Sequence, residues 1–305
     1  MTPQNTRVAP ADEAGIADAA RLILAGECVA VPTETVYGLA ADATNGAAVA
    51  RIYEAKGRPS FNPLIIHVSS LQDARAFATF DDAAVALAHL HWPGPLTLVL
   101  PARSGSPVAS LAAAGLATIA LRVPAHPVMR ALLAACARPL AAPSANASGR
   151  ISPTTAAHVL RTLDGRIPLV LDGGPTQVGL ESTIVATGEG GTRLLRAGPI
   201  LIETQRPDST GTIEAPGQLS SHYRPAKPLT LNCTAAGPGT WLIGFGAIVG
   251  DRSLSASGDL VEAAAALFAC LHEADTSDRA RIAVAPVPDV GLGLAINDRL
   301  RRAAA

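Results

Sequence analysis

The stretch D-E-A-G-I-A-D-A-A-R-L-I-L-A-G-E-C-V-A-V-P-T-E-T-V-Y-G-L-A, residues 12 to 40, changes its hydrophobic period part-way along. Ile16, Ala19, Ala20, Ile23 and Leu24 recur at helical spacing, and Gly26 follows as a C′ glycine, which predicts a helix over 12–25. Cys28 to Val31 is an unbroken apolar run of strand length. After it come Pro32, two threonines, Glu34 and Gly38, which read as a loop at the C-terminal edge of a sheet. Ligands of α/β proteins bind at such edges, although an ordinary Thr-rich turn has the same composition.

The same alternation continues on both sides of Leu64 to Val68, the next apolar strand, and it predicts an α/β fold. Helices are expected near 47–55, 71–77, 81–90 with Asp81 as N-cap, 127–137 and 154–163. Strands are expected at 96–100, 118–123, 140–142, 169–172, 182–185 and 194–196. This gives a dense unit over 10–202. Residues 203–228 hold four prolines and two glycines and show neither period, so they read as a long linker. Residues 229–305 supply strands at 241–245 and 282–285 and helices near 259–272 and 293–304, a small α/β unit expected to lean on the first.

With 49% hydrophobic and 16% charged residues in 305, the chain can bury a large core and is no disordered sequence. Its net charge is −1, with 15 Lys and Arg against 14 Asp and Glu up to residue 202, and 9 against 11 beyond it. Neither half is a polyanion-binding block, so strong direct nucleic-acid binding is not expected. Only Lys56 and Lys227 are lysines, which gives Lys56 weight as a candidate. Cys28, Cys136, Cys233 and Cys270 are scattered, without C-x-x-C or His at ligand spacing, which argues against zinc and for a reducing compartment. No apolar signal segment or 20-residue apolar run is seen, so a soluble, cytoplasmic protein without membrane contact is expected.

Three further segments carry polar groups suited to chemistry. In K-G-R-P-S-F-N-P-L-I-I-H-V (56–68), Lys56 and Arg58 sit on a stiff loop that can clamp phosphate, and His67 faces opposite to Ile66 and Val68. A lone strand His is more often structural than a ligand. In A-T-I-A-L-R-V-P (117–124), Thr118, Ala120 and Arg122 share one strand face, and Ile119, Leu121 and Val123 the other. A buried Arg needs an anion, which a substrate or a protein carboxylate can supply. In A-P-S-A-N-A-S-G-R-I-S-P-T (142–154), Ser144, Asn146, Ser148 and Ser152 crowd a loop leading into a helix, with Pro153 as an N1 residue. No Walker or G-x-G-x-x-G signature is present.

In order, P-T-E-T-V-Y-G-L, K-G-R-P-x-x-N-P-L, A-P-S-A-N-x-S-G, E-S-T-I-V (181–185) and L-R-A-G (195–198) resemble the YrdC/Sua5 family of threonylcarbamoyl-AMP synthases. The likeness is dense over 10–202 and continues in A-P-G-Q-L-S-S-H-Y-R-P (215–225), similar to the Sua5 linker signature. Residues 229–305 are shorter than the usual Sua5 C-terminal domain, though G-L-G-L-A-I-N-D-R-L-R-R-A-A (291–304) resembles its closing helix.

The resemblance implies a YrdC-like twisted mixed sheet with flanking helices, plus a small Rossmann-like C-terminal domain. It implies synthesis of threonylcarbamoyl-AMP and pyrophosphate from L-threonine, bicarbonate and ATP, the first step of the t6A modification at position 37 of tRNAs. The product would pass to downstream threonylcarbamoyl transferase machinery. Lys56, Arg58, Ser144 and Asn146 would form a catalytic tetrad, with Asn62, Thr118, Ser152, Arg196 and the linker's Tyr223 as further ATP contacts. Threonine would sit among Thr35, His67, Arg122, the Ala142 backbone and Ser182, with Arg122 forking its carboxylate. Mg²⁺ would accompany ATP, held by phosphates and water rather than by protein side chains. The alternatives are a YrdC-type RNA-binding module and the carbamoyltransferases of hydrogenase maturation. The latter add zinc-finger-like Cys motifs and acylphosphatase units that are not seen here.

Overall fold

The computed structural model describes residues 5–188, 191–202, 214–218 and 221–305. In chain order the first unit holds β1 (Arg7–Pro10), α1 (Glu13–Leu24), β2 (Val29–Val31), β3 (Gly38–Asp42), α2 (Gly46–Lys56), β4 (Ile65–His67), α3 (Leu71–Ala74) and α4 (Asp82–His91). It continues with β5 (Leu96–Pro101), β6 (Thr118–Arg122), α5 (Pro127–Cys136), β7 (Leu140–Ala141), α6 (Ala156–Leu163), β8 (Leu169–Asp172), β9 (Thr183–Ala186) and β10 (Arg193–Arg196). The second unit holds β11 (Leu229–Thr230), β12 (Thr240–Gly244), β13 (Arg252–Ser253), α7 (Leu260–Thr276), β14 (Arg281–Val284) and α8 (Leu292–Ala304).

The first ten strands form one mixed sheet in the order β1-β8-β2-β3-β7-β4-β6-β5-β9-β10, and the last four form a parallel sheet in the order β11-β14-β12-β13. Caps set several boundaries. Asp12 accepts from Gly15 N at 2.8 Å and starts α1, and Asp81 accepts from Ala84 N at 2.7 Å and starts α4. Asn45 caps α2, and Gly57 ends it at φ +59°. α2 therefore extends through Lys56, which stands on the helix rather than on the loop expected from the sequence. α6 begins at Ala156 because the Thr155 hydroxyl caps His158 N, so Pro153 lies in the preceding loop and not at N1.

Residues 31–40 also differ from a simple edge loop. β2 and β3 pair antiparallel with Val31 opposite Gly38 and Val29 opposite Ala40, so the polar residues 32–37 form a tight connection within the sheet. β4 and β6 run parallel with His67 opposite Arg122. Their alternation sends Ile66, Val68, Ile119, Leu121 and Val123 into the main core and leaves His67 and Arg122 on the other face.

The two units share apolar packing. A core cluster of the second unit takes in Val36, Ile151 and Leu180 from the first, along with Tyr223. Gly179 makes this approach possible: at φ +72°, a Cβ there would lie 2.5 Å from backbone oxygens of Ala264 and Ala265 on α7. Of the 203–228 linker, residues 203–213, 219 and 220 lie outside the described residues. Arg224 N donates to Gly149 O at 2.7 Å, while His222 N donates to Arg302 O at 3.1 Å and Ala226 N to Asp275 Oδ1 at 2.8 Å, so the described parts of this segment bond to both units. Among the described residues no helix is long and apolar enough to cross a membrane.

Candidate active site

A cavity of about 520 Å³, counting its open mouth, lies on the face of the large sheet that carries His67 and Arg122. Thr35 from the β2–β3 connection, Arg58 from the turn after α2, His67 from β4, Arg122 from β6, Ala142 and Ser144 after β7, Ser182 before β9 and Arg196 at the end of β10 all line it. Pro216, Gly217, His222 and Tyr223 of the linker close one side.

Arg122 is nearly inaccessible, and three of its five N–H groups are committed to the protein. Nη2 donates to Glu34 Oε1 at 2.6 Å, Nη1 to the Thr35 hydroxyl at 3.1 Å, and Nε to Gly94 O at 3.2 Å. The strand Arg thus has a protein carboxylate, Glu34, as its anion, and two of its N–H groups have no partner among the described residues. Burial alone would raise the Glu34 carboxyl, but the charge and hydrogen bond of Arg122 outweigh it and pull it down to about 2. His67, pushed down to about 3 by burial and then by Arg122, is a neutral imidazole at pH 7, and its Nδ1 has no partner among the described residues.

Arg58 and Arg196 are different, because neither has a carboxylate in ion-pair contact among the described residues. Arg58 donates to the carbonyls of Asn62 and Pro63 at 3.2 and 2.9 Å. Arg196 donates to Ser182 O and Oγ, both at 3.0 Å, and to Pro216 O at 3.4 Å. Burial lowers both guanidiniums to about 10, so both stay charged at pH 7. Two buried cations without a carboxylate, on one cavity wall, make an anion site.

Lys56 is buried and does not line the cavity. Its Nζ donates to Ser144 O and Asn146 O, both at 2.5 Å, and burial, then Arg58, pushes its ammonium well below the ordinary lysine range. It braces the 144–146 loop from behind. Asn146 donates from Nδ2 to Ala147 O and Arg150 O, while its Oδ1 is unpartnered among the described residues. Asn62 is buried beside Arg58 with its whole side-chain amide unpartnered among those residues, but it too stands off the cavity lining. Ser152 lies behind the wall, where its hydroxyl donates to Glu181, and Thr118 is at the far end of β6, paired with Pro101.

Glu34, Glu181, Thr33 and His222 line or adjoin the cavity and were not singled out from sequence. Both glutamates stand inside the quoted motifs, and each is the acid opposite a buried Arg, a signal that a count of unpaired internal arginines carries. His222 precedes Tyr223, and burial holds its imidazole down to about 3.

Two family models match the chain. The Sua5/YciO/YrdC model, described as telomere recombination, matches residues 21–198, and the threonylcarbamoyl-AMP synthase C-terminal domain matches 180–305. The chain belongs to the Sua5/YrdC family. Its similarity to the threonylcarbamoyl-AMP synthase of Bacillus subtilis is 39% identity over 95% of this chain and 92% of that protein. For the Pyrococcus abyssi synthase it is 38%, over 93% and 92%. A crystal structure of P. abyssi Sua5 complexed with L-threonine superposes with a TM-score of 0.89 at 37% identity, covering 98% of this chain and 97% of that one. Escherichia coli YciO shares the fold of the first unit, with a TM-score of 0.58 at 20% identity over 65% of this chain. The Sua5-type second unit is thus matched along its length as well, including α8.

Proposed function

We propose that this chain is an L-threonylcarbamoyladenylate synthase, joining L-threonine, bicarbonate and ATP into threonylcarbamoyl-AMP with release of pyrophosphate, for tRNA t6A synthesis. The carrying observation is the pair Arg58 and Arg196, buried cations without carboxylate partners, on the wall of a cavity that also holds Arg122. Arg58 and Arg196 take the triphosphate. The two uncommitted N–H groups of Arg122, one on each Nη, take the threonine carboxylate, with Glu34 fixing the plane of the guanidinium. The Thr35 hydroxyl, or that of Ser182, reads the threonine hydroxyl.

The amine of threonine adds to the bicarbonate carbon with loss of water, giving an N-carboxylate. One oxygen of this carbamate attacks the α-phosphorus in line, and pyrophosphate leaves with the bonding electron pair. No protein nucleophile is needed, so the residues act by position and by fixed charge. The neutral His67 faces the threonine end, where a second cation would compete with Arg122. Tyr223 and His222 cover the nucleotide side and exclude water from the mixed anhydride.

Mg²⁺ accompanies ATP in such reactions. Among the described residues no three His, Cys, Asp or Glu side chains converge, and Glu34 and Glu181 are each ion-paired with an arginine. These residues do not fit a protein-made metal cage, and the ion would be carried by phosphate oxygens and water. The comparisons favour the synthase over an RNA-binding module. The test is pyrophosphate release with each substrate omitted in turn. Release that requires both threonine and bicarbonate supports the reading, and release from ATP alone overturns it.

A further inference from the structure

The second unit contacts residues that line the cavity, Tyr223 through Phe268 and Arg299, His222 through the Arg302 carbonyl, and Glu181 through Arg299. Arg299 on α8 is fully buried, which is unfavourable for a cation unless it is paired. Its Nε leaves its own unit and donates to Glu181 Oε2 at 2.9 Å, while Nη1 donates to the adjacent Asp298 at 2.9 Å. The other oxygen of Glu181 accepts the Ser152 hydroxyl. The Ser152 carbonyl in turn lies 3.1 Å from His272 Nε2 on α7. Arg299 also stands over the Tyr223 ring, 5.3 Å from its centroid, and Phe268 of α7 packs against that ring at 5.5 Å.

The charge arrangement gives this contact a purpose. Glu181 lines the cavity and is the residue before Ser182, whose carbonyl and hydroxyl anchor Arg196. It is therefore the carboxylate nearest in sequence to the anchor of the uncompensated cation, and its attraction to Arg196 is among the forces that hold its own carboxyl below the usual range. Burial alone would raise that carboxyl, and Arg299 is the largest of the opposing influences.

We infer that Arg299 is a positioning residue that sequesters Glu181, so that Arg196 stays uncompensated and open to the phosphates of ATP. This rests on the synthase reading only for the identity of the anion. Without Arg299, the Glu181 carboxylate turns to Arg196 and cancels the charge that binds the nucleotide. The small C-terminal unit is then part of the site through charge bookkeeping across the interface, without touching substrate. A purely structural ion pair, docking one unit on the other, makes the opposite forecast: lower stability with unchanged nucleotide affinity.

The experiment measures ATP dissociation constants by calorimetry, so it does not depend on turnover, alongside melting temperatures. Arg299→Met should weaken ATP binding at least tenfold, and Arg299→Met with Glu181→Gln should bring it back to within about threefold of the parent. Rescue by removal of the carboxylate is the signature that a structural pair lacks. Unchanged affinity in Arg299→Met, or a loss that the double variant does not recover, overturns the inference. If Arg299→Met does not fold, Arg299→Lys and Arg299→Gln give the same contrast, with weakened ATP binding expected only in the Gln variant and equal affinities refuting the idea. A parent that binds ATP but makes no threonylcarbamoyl-AMP sinks the synthase reading and leaves this test standing.

Discussion

Glu34→Gln removes the charge that faces Arg122 with little change of shape, because glutamine resembles the protonated carboxyl and its Oε can still accept a hydrogen bond. The Glu34 carboxyl moves from 4.5 to about 2 on folding, a fall of 2.5, and each pKa unit corresponds to about 1.4 kcal/mol. Relative to the unfolded chain, folding therefore favours the ionised side chain over its protonated form by on the order of 3 kcal/mol, and Glu34→Gln should lower stability by an amount of that order at pH 7. The sign follows from the direction of the shift. A carboxyl with a depressed folded pKa stabilises above its unfolded value and loses that contribution as pH falls toward the folded one. The gap between parent and variant should thus be constant from pH 7 to about 5 and narrow steadily between about 4.5 and 2. Urea unfolding of both proteins at closely spaced pH values reads this directly. A gap under about 1 kcal/mol at pH 7, or one that does not narrow from pH 4.5 to 3, would show that Glu34 is not the ionised partner of Arg122.

Three other substitutions test separate parts of the site. Arg122→Ala should raise the threonine Kd on the order of tenfold or more and the ATP Kd by less than threefold, as read by calorimetry of each substrate; equal losses would remove Arg122 from the threonine end. Lys56→Ala should abolish synthesis and also lower the melting temperature, because the carbonyls of Ser144 and Asn146 lose buried donors at about 1–3 kcal/mol each. An unchanged melting temperature would mean that the loop does not rely on this brace. Gly217→Ala should weaken ATP binding severalfold, since Gly217 has φ +88° and a Cβ there would stand 3.0 Å from Arg196 Cδ and 3.1 Å from the Tyr223 hydroxyl; unaltered binding would show that the linker yields without disturbing Arg196.

The α/β alternation was legible because the long elements carry clear periods. α1, α4, α5, α7 and α8, with β5 and β6, fall within a few residues of their expected places. The strands not foreseen are those whose local sequence is not strand-like. β1 is an exposed edge strand ending in proline, β11 and β13 are two residues each, and β3 (G-L-A-A-D) begins at glycine, holds two alanines and ends in aspartate. Each is held by its pairing partner, β8, β14, β12 and β2 respectively, and pairing across the sheet leaves no trace in a local period.

The site was legible as a set of groups, and its charge pairing was not. The motifs supply Glu34, Arg58, Arg122, Glu181 and Arg196, but whether an arginine faces an acid or an open cavity depends on register and docking. Arg122 meets Glu34 because the β2–β3 connection reaches over β6, and Glu181 meets Arg299 only because α8 packs on the first unit from more than a hundred residues away. The outcome is a division of labour. Glu181 in the cavity lining pairs with Arg299, and Glu34 beside it pairs with Arg122, while among the described residues Arg58 and Arg196 on the lining meet no carboxylate in an ion pair. A chain whose net charge is only −1 thereby keeps two buried cations together on a cavity wall, a local concentration of charge that its overall balance does not show. On the proposal made above, that concentration of charge holds only while each glutamate keeps its own arginine, and α8 would then act on anion affinity from behind the wall, through Glu181.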